Sequence, residues 1–106
     1  MYIFKERLDK KILWGHLDSD FFYKDLKEYV EDKIKIELDF CGIESIDISF
    51  IKEVFIKILE KNNKTFIFEN IKNDAIIYYL NKAFKEYHVT AFIKDKNNKV
   101  FEIGKI

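Results

Sequence analysis

Between Lys33 and Leu59 the pattern of apolar and polar positions changes period once. Ile34, Ile36, Leu38 and Phe40 alternate with Lys35, Glu37 and Asp39, the two-residue repeat of a strand with one buried face. Cys41-Gly42 breaks the alternation. From Ile51 the apolar residues recur at Ile51, Val54, Phe55, Ile58 and Leu59, the spacing of an amphipathic helix. The stretch therefore predicts a strand, an acidic loop from Gly42 to Ser49, and a helix. A functional site, if the chain has one, is expected in that loop.

The same reading extends along the chain. Tyr2 to Arg7 and Lys11 to Leu17 read as two short strands joined in a hairpin across Leu8-Asp9-Lys10, with polar Asp9 and Lys10 at the turn. Asp18-Ser19-Asp20 offers oxygens for an N-cap, and Phe22, Leu26, Tyr29 and Val30 carry a first helix to about Glu31. Asn62-Asn63 ends the second helix, and Thr65 to Glu69 is a further strand rich in β-formers. Asn70 to Asp74 supplies a turn and a cap. Ile76, Tyr79, Leu80 and Ala83 mark the core face of a third helix, flanked by Ile77 and Phe84. Val89 to Lys94 and Val100 to Ile103, either side of an Asn-rich turn, predict a terminal hairpin over about residues 88–104. The order is β-β-α-β-α-β-α-β-β, an α/β fold with a mixed, partly parallel sheet. Because the central strand turns Lys35, Glu37 and Asp39 to one side, the helices are expected mainly on one face and the other is expected open.

At 106 residues the chain fits one domain, and 48% hydrophobic content is enough for a packed core. Lys and Arg number 19 against 19 Asp and Glu, interleaved throughout. A nucleic-acid binder needs a basic surplus or patch to neutralise phosphates, so nucleic acid is excluded as a partner. No apolar run approaches the length of a membrane span, and membrane insertion is excluded on the same ground. The first residues are charged within five positions and lack a signal-peptide core; with a single cysteine, Cys41, a reducing cytoplasmic location is expected.

Three segments carry a family resemblance. They are Gly15-His16-Leu17-Asp18, the run Ile36 to Asp47 with its closing aspartate, and Thr65 to Asn70 ahead of a helix. Together, over about three quarters of the chain, they resemble a STAS domain, the fold of bacterial anti-sigma-factor antagonists. Leu38-Asp39-Phe40 with Ser49-Phe50 and Glu53 looks closer to an uncharacterised bacterial STAS-like family. The resemblance implies a regulatory protein-binding module, not an enzyme, without a cofactor. By analogy the partner is an ATP-binding kinase-like protein or a transcription regulator. The antagonists carry a phosphorylated serine directly after the aspartate. Here Ile48 stands there, and Ser49 is one place on, where a helix N-terminus favours an added phosphate.

The expected partner surface is Glu44, Asp47, Ser49, Phe50, Lys52 and Glu53, with Asn70 and Lys72 on the neighbouring loop. Strand carboxyl ends gather functional loops in α/β sheets. Asp47 and Ser49 are also N-cap candidates. Phe50 and Ile56 fall off the core stripe of their helix, as Phe21 and Tyr78 do on theirs. Phe50, beside the acidic loop, is expected to be exposed as an anchor. Glu37 and Asp39 share a sheet face, read as solvated with Lys35 as counter-charge. His16, His88 and Cys41 have no metal-ligand spacing, and three glycines cannot build a nucleotide loop. The alternatives are a small-molecule or lipid-transport-associated module, a cryptic enzyme built on Cys41, His16 and a carboxylate, and a homodimer formed through the open face or the hairpin edge.

Overall fold

In the computed structural model, which describes residues 1–104, the alternating run becomes an inner strand, β3 (Lys35–Asp39). Its neighbours are β1 (Tyr2–Ile3) and β5 (Thr65–Glu69), followed by β6 (Ala91–Lys94) and β7 (Val100–Ile103), in the order β1-β3-β5-β6-β7. The first four strands are parallel; β7 returns antiparallel to β6. The chain is thus mixed α/β with a mixed five-stranded sheet.

The helices are α2 (Gly15–Val30), a continuous helix over 48–61, and α5 (Asp74–Glu86). The middle helix comprises α3 (Ile48–Phe50), a π-helical segment (Ile51–Ile56) and α4 (Lys57–Lys61). Ile36, Leu38, Phe66, Phe68, Ala91 and Ile93 present one sheet face to Phe22, Leu26, Val54, Phe55, Ile76, Leu80 and Phe84 in one buried cluster. Phe55 lies at its centre, with the rings of Phe4, Phe40, Phe50, Phe66 and Phe68 at 5.1–6.2 Å, mostly edge to face. The opposite sheet face carries exposed Lys35, Glu37 and Glu102. Among the described residues no helix is long and apolar enough to cross a membrane.

The N-terminal expectation is corrected. Tyr2–Ile3 does not form a hairpin with the next strand; it pairs with β3, Tyr2 opposite Leu38. Buried Tyr2 donates its hydroxyl to Asp25 Oδ2 at 2.7 Å, which fixes this edge to α2. Phe4 then turns into the core through a single helical turn, α1 (Phe4–Arg7). The second expected strand shrinks to β2 (Ile12–Leu13), which pairs in parallel with β4 (Ser45–Ile46), a strand inside the expected acidic loop. Strands of two residues carry no period, so only their partners define them.

The helices differ in detail. α2 begins at Gly15, three residues before the expected cap. Tyr79 is exposed while Ile76, Leu80, Ala83 and Phe84 are buried. Phe50 and Ile56, expected off the core stripe, are buried. Their helix contains a π segment in which the Lys57 amide donates to Lys52 O, five residues back. Wider turns shift the stripe that an α-helical count assigns, and α2, the sheet and α5 leave this helix little free circumference.

Candidate functional site

The loop after β3 is held at its start by a carboxylate. Asp39 Oδ1 accepts hydrogen bonds from the Cys41 amide and from Asn70 Nδ2, both at 2.8 Å. Asn70 follows β5 and sits at φ 59°, a backbone conformation that asparagine tolerates. The exits of β3 and β5 are therefore tied together. Asn73 adds a second tie: its Oδ1 accepts from the Ala75 amide (2.9 Å), capping α5, while its Nδ2 donates to Glu44 O at 3.1 Å. Glu44 and Lys72 remain exposed at this edge.

The end of the loop is held by another carboxylate. Asp47 is extended, at φ −100° and ψ 162°, and its Oδ1 accepts from the Phe50 amide at 2.8 Å. The same oxygen accepts from the Gly15 amide at 3.0 Å. One atom thus caps two helices that start 33 residues apart, at Gly15 and Ile48. The residue before Gly15 is Trp14, whose side chain has no oxygen to offer, so α2 takes its acceptors from elsewhere. Asp18 reaches back to accept from the Trp14 amide (2.8 Å) and is itself paired with Lys10 Nζ at 2.5 Å. Gly15 makes the approach possible. A Cβ there would meet Ser49 Oγ and lie 2.5 Å from both the Phe50 amide nitrogen and Ser49 Cβ.

The expected surface is thus only partly a surface. Glu44, Ser49, Glu53 and Lys72 are exposed, and Lys52 is half-buried with its ammonium 5.5 Å from the Tyr87 ring. Asp47 and Asn70 are engaged in the hydrogen bonds above. Ser49 lies within the first helical turn and does not cap it. Phe50 points into the core against Phe22 and Phe55, so the exposed-anchor expectation fails. Cys41 is exposed and lines a cleft whose lining residues include no histidine, and His16 sits in the first turn of α2. Among the described residues no cluster of His, Cys, Asp and Glu could hold a metal.

No family model matches the chain, and no curated protein or solved structure does either.

Two features went unseen in the sequence. The first is an apolar stripe at the start of α2. Trp14, Leu17 and Phe21 are 44%, 67% and 43% exposed. Leu17 and Phe21 stand one turn apart, and Trp14 precedes Gly15 at the helix junction. In the sequence Lys11 to Leu17 reads as a strand, which separates Trp14 and Leu17 from Phe21, the one member of the stripe that the helical count places off the core face.

The second is a carboxyl pair on the open sheet face. Asp39 is not a solvated counterpart of Glu37: it is 8% exposed and committed to the loop. Glu37 instead meets Glu69 of the next strand. Glu69 is buried, its Oε2 has no hydrogen-bond partner, and its Oε1 lies 3.7 Å from Lys94 Nζ. Burial first, then the hydrogen bond and charge of Glu37, hold the Glu69 carboxyl above the ordinary glutamate range. The hydrogen bond from Glu69 holds Glu37 below it. One proton shared across two carboxyls produces opposite shifts of this kind.

The folded chain therefore binds the Glu69 proton more tightly than the unfolded chain. That contribution to stability is complete below the ordinary glutamate range and is lost as pH rises through the raised value. The Glu37 contribution has the opposite sense: it is present above the ordinary range and lost as pH falls through the lowered value. Glu69→Gln keeps a donor for Glu37 and removes the buried charge. At neutral pH it is expected to stabilise the fold by about 1 kcal/mol, a midpoint roughly 4–8 °C higher. The gain should fade as pH is lowered through the Glu69 range. Thermal melts at several pH values check this, and an unchanged or lower midpoint at neutral pH would contradict a destabilising buried charge on Glu69.

Proposed function

We propose that the chain is a non-catalytic regulatory module of the STAS-like kind that binds a protein partner at the junction where α2 and the middle helix begin. The observation that carries the reading is the exposed stripe of Trp14, Leu17 and Phe21. The stripe starts at the helix junction that Asp47 fixes, where Gly15 packs against Ser49. Large apolar and aromatic side chains exposed together on a rigid element are what protein interfaces use as anchors. Exposed Ser49 and Glu53 supply polar positions on the middle helix. Glu44 and Lys72 extend the same reading along the neighbouring loops. An ATP-binding kinase-like protein or a transcription regulator is the partner class by analogy with the family resembled.

The junction favours a fixed surface over a phosphorylated one. A phosphate on Ser49 would gain the positive end of a helix. It would also stand two residues from the Asp47 carboxylate, against the Gly15 backbone. Like-charge repulsion and crowding oppose that gain.

Affinity capture from the native cell with wild-type, Leu17→Asp and Phe21→Asp chains tests the proposal. A protein retained by wild type should fall at least tenfold with either variant, the loss typical of an interface anchor. Both side chains are exposed, so melting of the variants should match wild type. Equal retention by correctly folded variants would place the interface elsewhere.

A further inference from the structure

A cleft of about 600 Å³ opens where the β6–β7 hairpin runs past the start of α5. Its apolar wall is Ile71, Ile77, Ile93 and Phe101. The reason for the gap is one of length. Phe101 stands opposite Ile93 in the ladder, and Ile103, two residues on, lies on the same face. α5 covers Ile103, and its Asn81 side chain accepts from the Gly104 amide at 2.9 Å. The helix starts too late to cover Phe101, which stays 42% exposed.

The rim of the cleft is charged. Lys94 is offset by Glu69 at 3.7 Å. Asp95 accepts from the Asn97 and Lys99 amides, at 2.8 and 2.9 Å, and closes the hairpin turn. Asp74 lies in the first turn of α5, where the helix dipole favours a negative charge. Lys72 and Lys96 make no ion pair among the described residues. The volume is that of a small-molecule pocket, and an apolar wall with a few polar groups is the usual composition of one.

We propose that this cleft binds an amphipathic anion, with a short acyl or aryl body against Ile77, Ile93 and Phe101 and a carboxylate or phosphate head between Lys72 and Lys96. The site lies apart from the Trp14, Leu17 and Phe21 stripe, shares only Lys72 with the proposed partner surface, and does not depend on the partner reading. Carboxylates and phosphates are the groups that unpaired lysines at a cleft mouth select by charge.

Cys41 is the only cysteine and lines the cleft, so it serves as an internal reporter. The probes are octanoate, octyl phosphate and octylammonium, which share one tail, and the readout is the rate at which N-ethylmaleimide alkylates Cys41 in the full chain. Octanoate or octyl phosphate should slow alkylation at least fivefold at saturation, and octylammonium should not. Each methylene added to the tail should tighten binding about threefold to fourfold. Lys72→Glu with Lys96→Glu should weaken the anions at least tenfold, and Phe101→Glu should abolish protection. All three side chains are exposed, and circular dichroism verifies folding. Co-sedimentation with phosphatidylglycerol vesicles separates the sources. Binding lost in Phe101→Glu identifies a lipid, and protection by free octyl phosphate without co-sedimentation identifies a soluble anion. Equal protection by octylammonium, protection that survives the lysine substitutions, or no protection by any probe would overturn the proposal.

Discussion

Asp47→Ala should lower the unfolding free energy by about 2–4 kcal/mol, an effect larger than the loss of an ordinary helix cap. The reason is that two backbone amides, those of Gly15 and Phe50, donate to the same Oδ1. Gly15 is buried, so water cannot easily replace the acceptor it loses. Asp47→Asn keeps an oxygen in place but removes its charge, and should fall between wild type and alanine. Urea unfolding of the three chains, read at constant slope, checks the order. A loss below about 1 kcal/mol for alanine would mean that only one of the two caps contributes.

Gly15→Ala should destabilise by a similar amount, about 2–3 kcal/mol, and its sign is the informative part. Inside an ordinary helix the same change stabilises by close to 1 kcal/mol, because alanine loses less backbone freedom than glycine. Here the new methyl would lie 2.5 Å from the Phe50 nitrogen, a backbone atom that cannot swing away. The two helix starts would have to separate, and the Asp47 bonds would stretch with them. Adding Ser49→Gly removes the clash with the serine side chain and leaves the clash with the backbone, so it should restore only part of the loss. A Gly15→Ala chain that melts at or above the wild-type temperature would show that the junction is loose.

What the sequence showed and what it hid follow from how local each signal is. β3, β5 and the terminal hairpin were legible because their alternation or turn chemistry lies within a few residues. The start of α2 was not, because its cap comes from Asp47, 32 residues on. The first two strands read as a hairpin in the sequence because Tyr2–Ile3 and Ile12–Leu13 are too short for a period. Each is strand only by virtue of a partner more than thirty residues away. Phe50 was placed on the surface by an α-helical count that a π segment does not obey. Asp39 was identified as a sheet carboxylate, but its role needed Asn70, brought alongside by the parallel pairing of β3 and β5. The cleft under Phe101 depends on where α5 begins relative to a hairpin, a relation between elements that no single stretch contains.

The shared oxygen of Asp47 also bears on how the molecule opens. Local unfolding proceeds in cooperative units, and helix ends ordinarily fray one at a time. Two ends held by one acceptor cannot do so independently: releasing either leaves the other with a carboxylate free to swing away. Trp14 and Leu17 on one helix and Ser49 on the other therefore belong to a single fraying event, though they are distant along the chain. Whatever seats on one of these helix starts suppresses the opening of both.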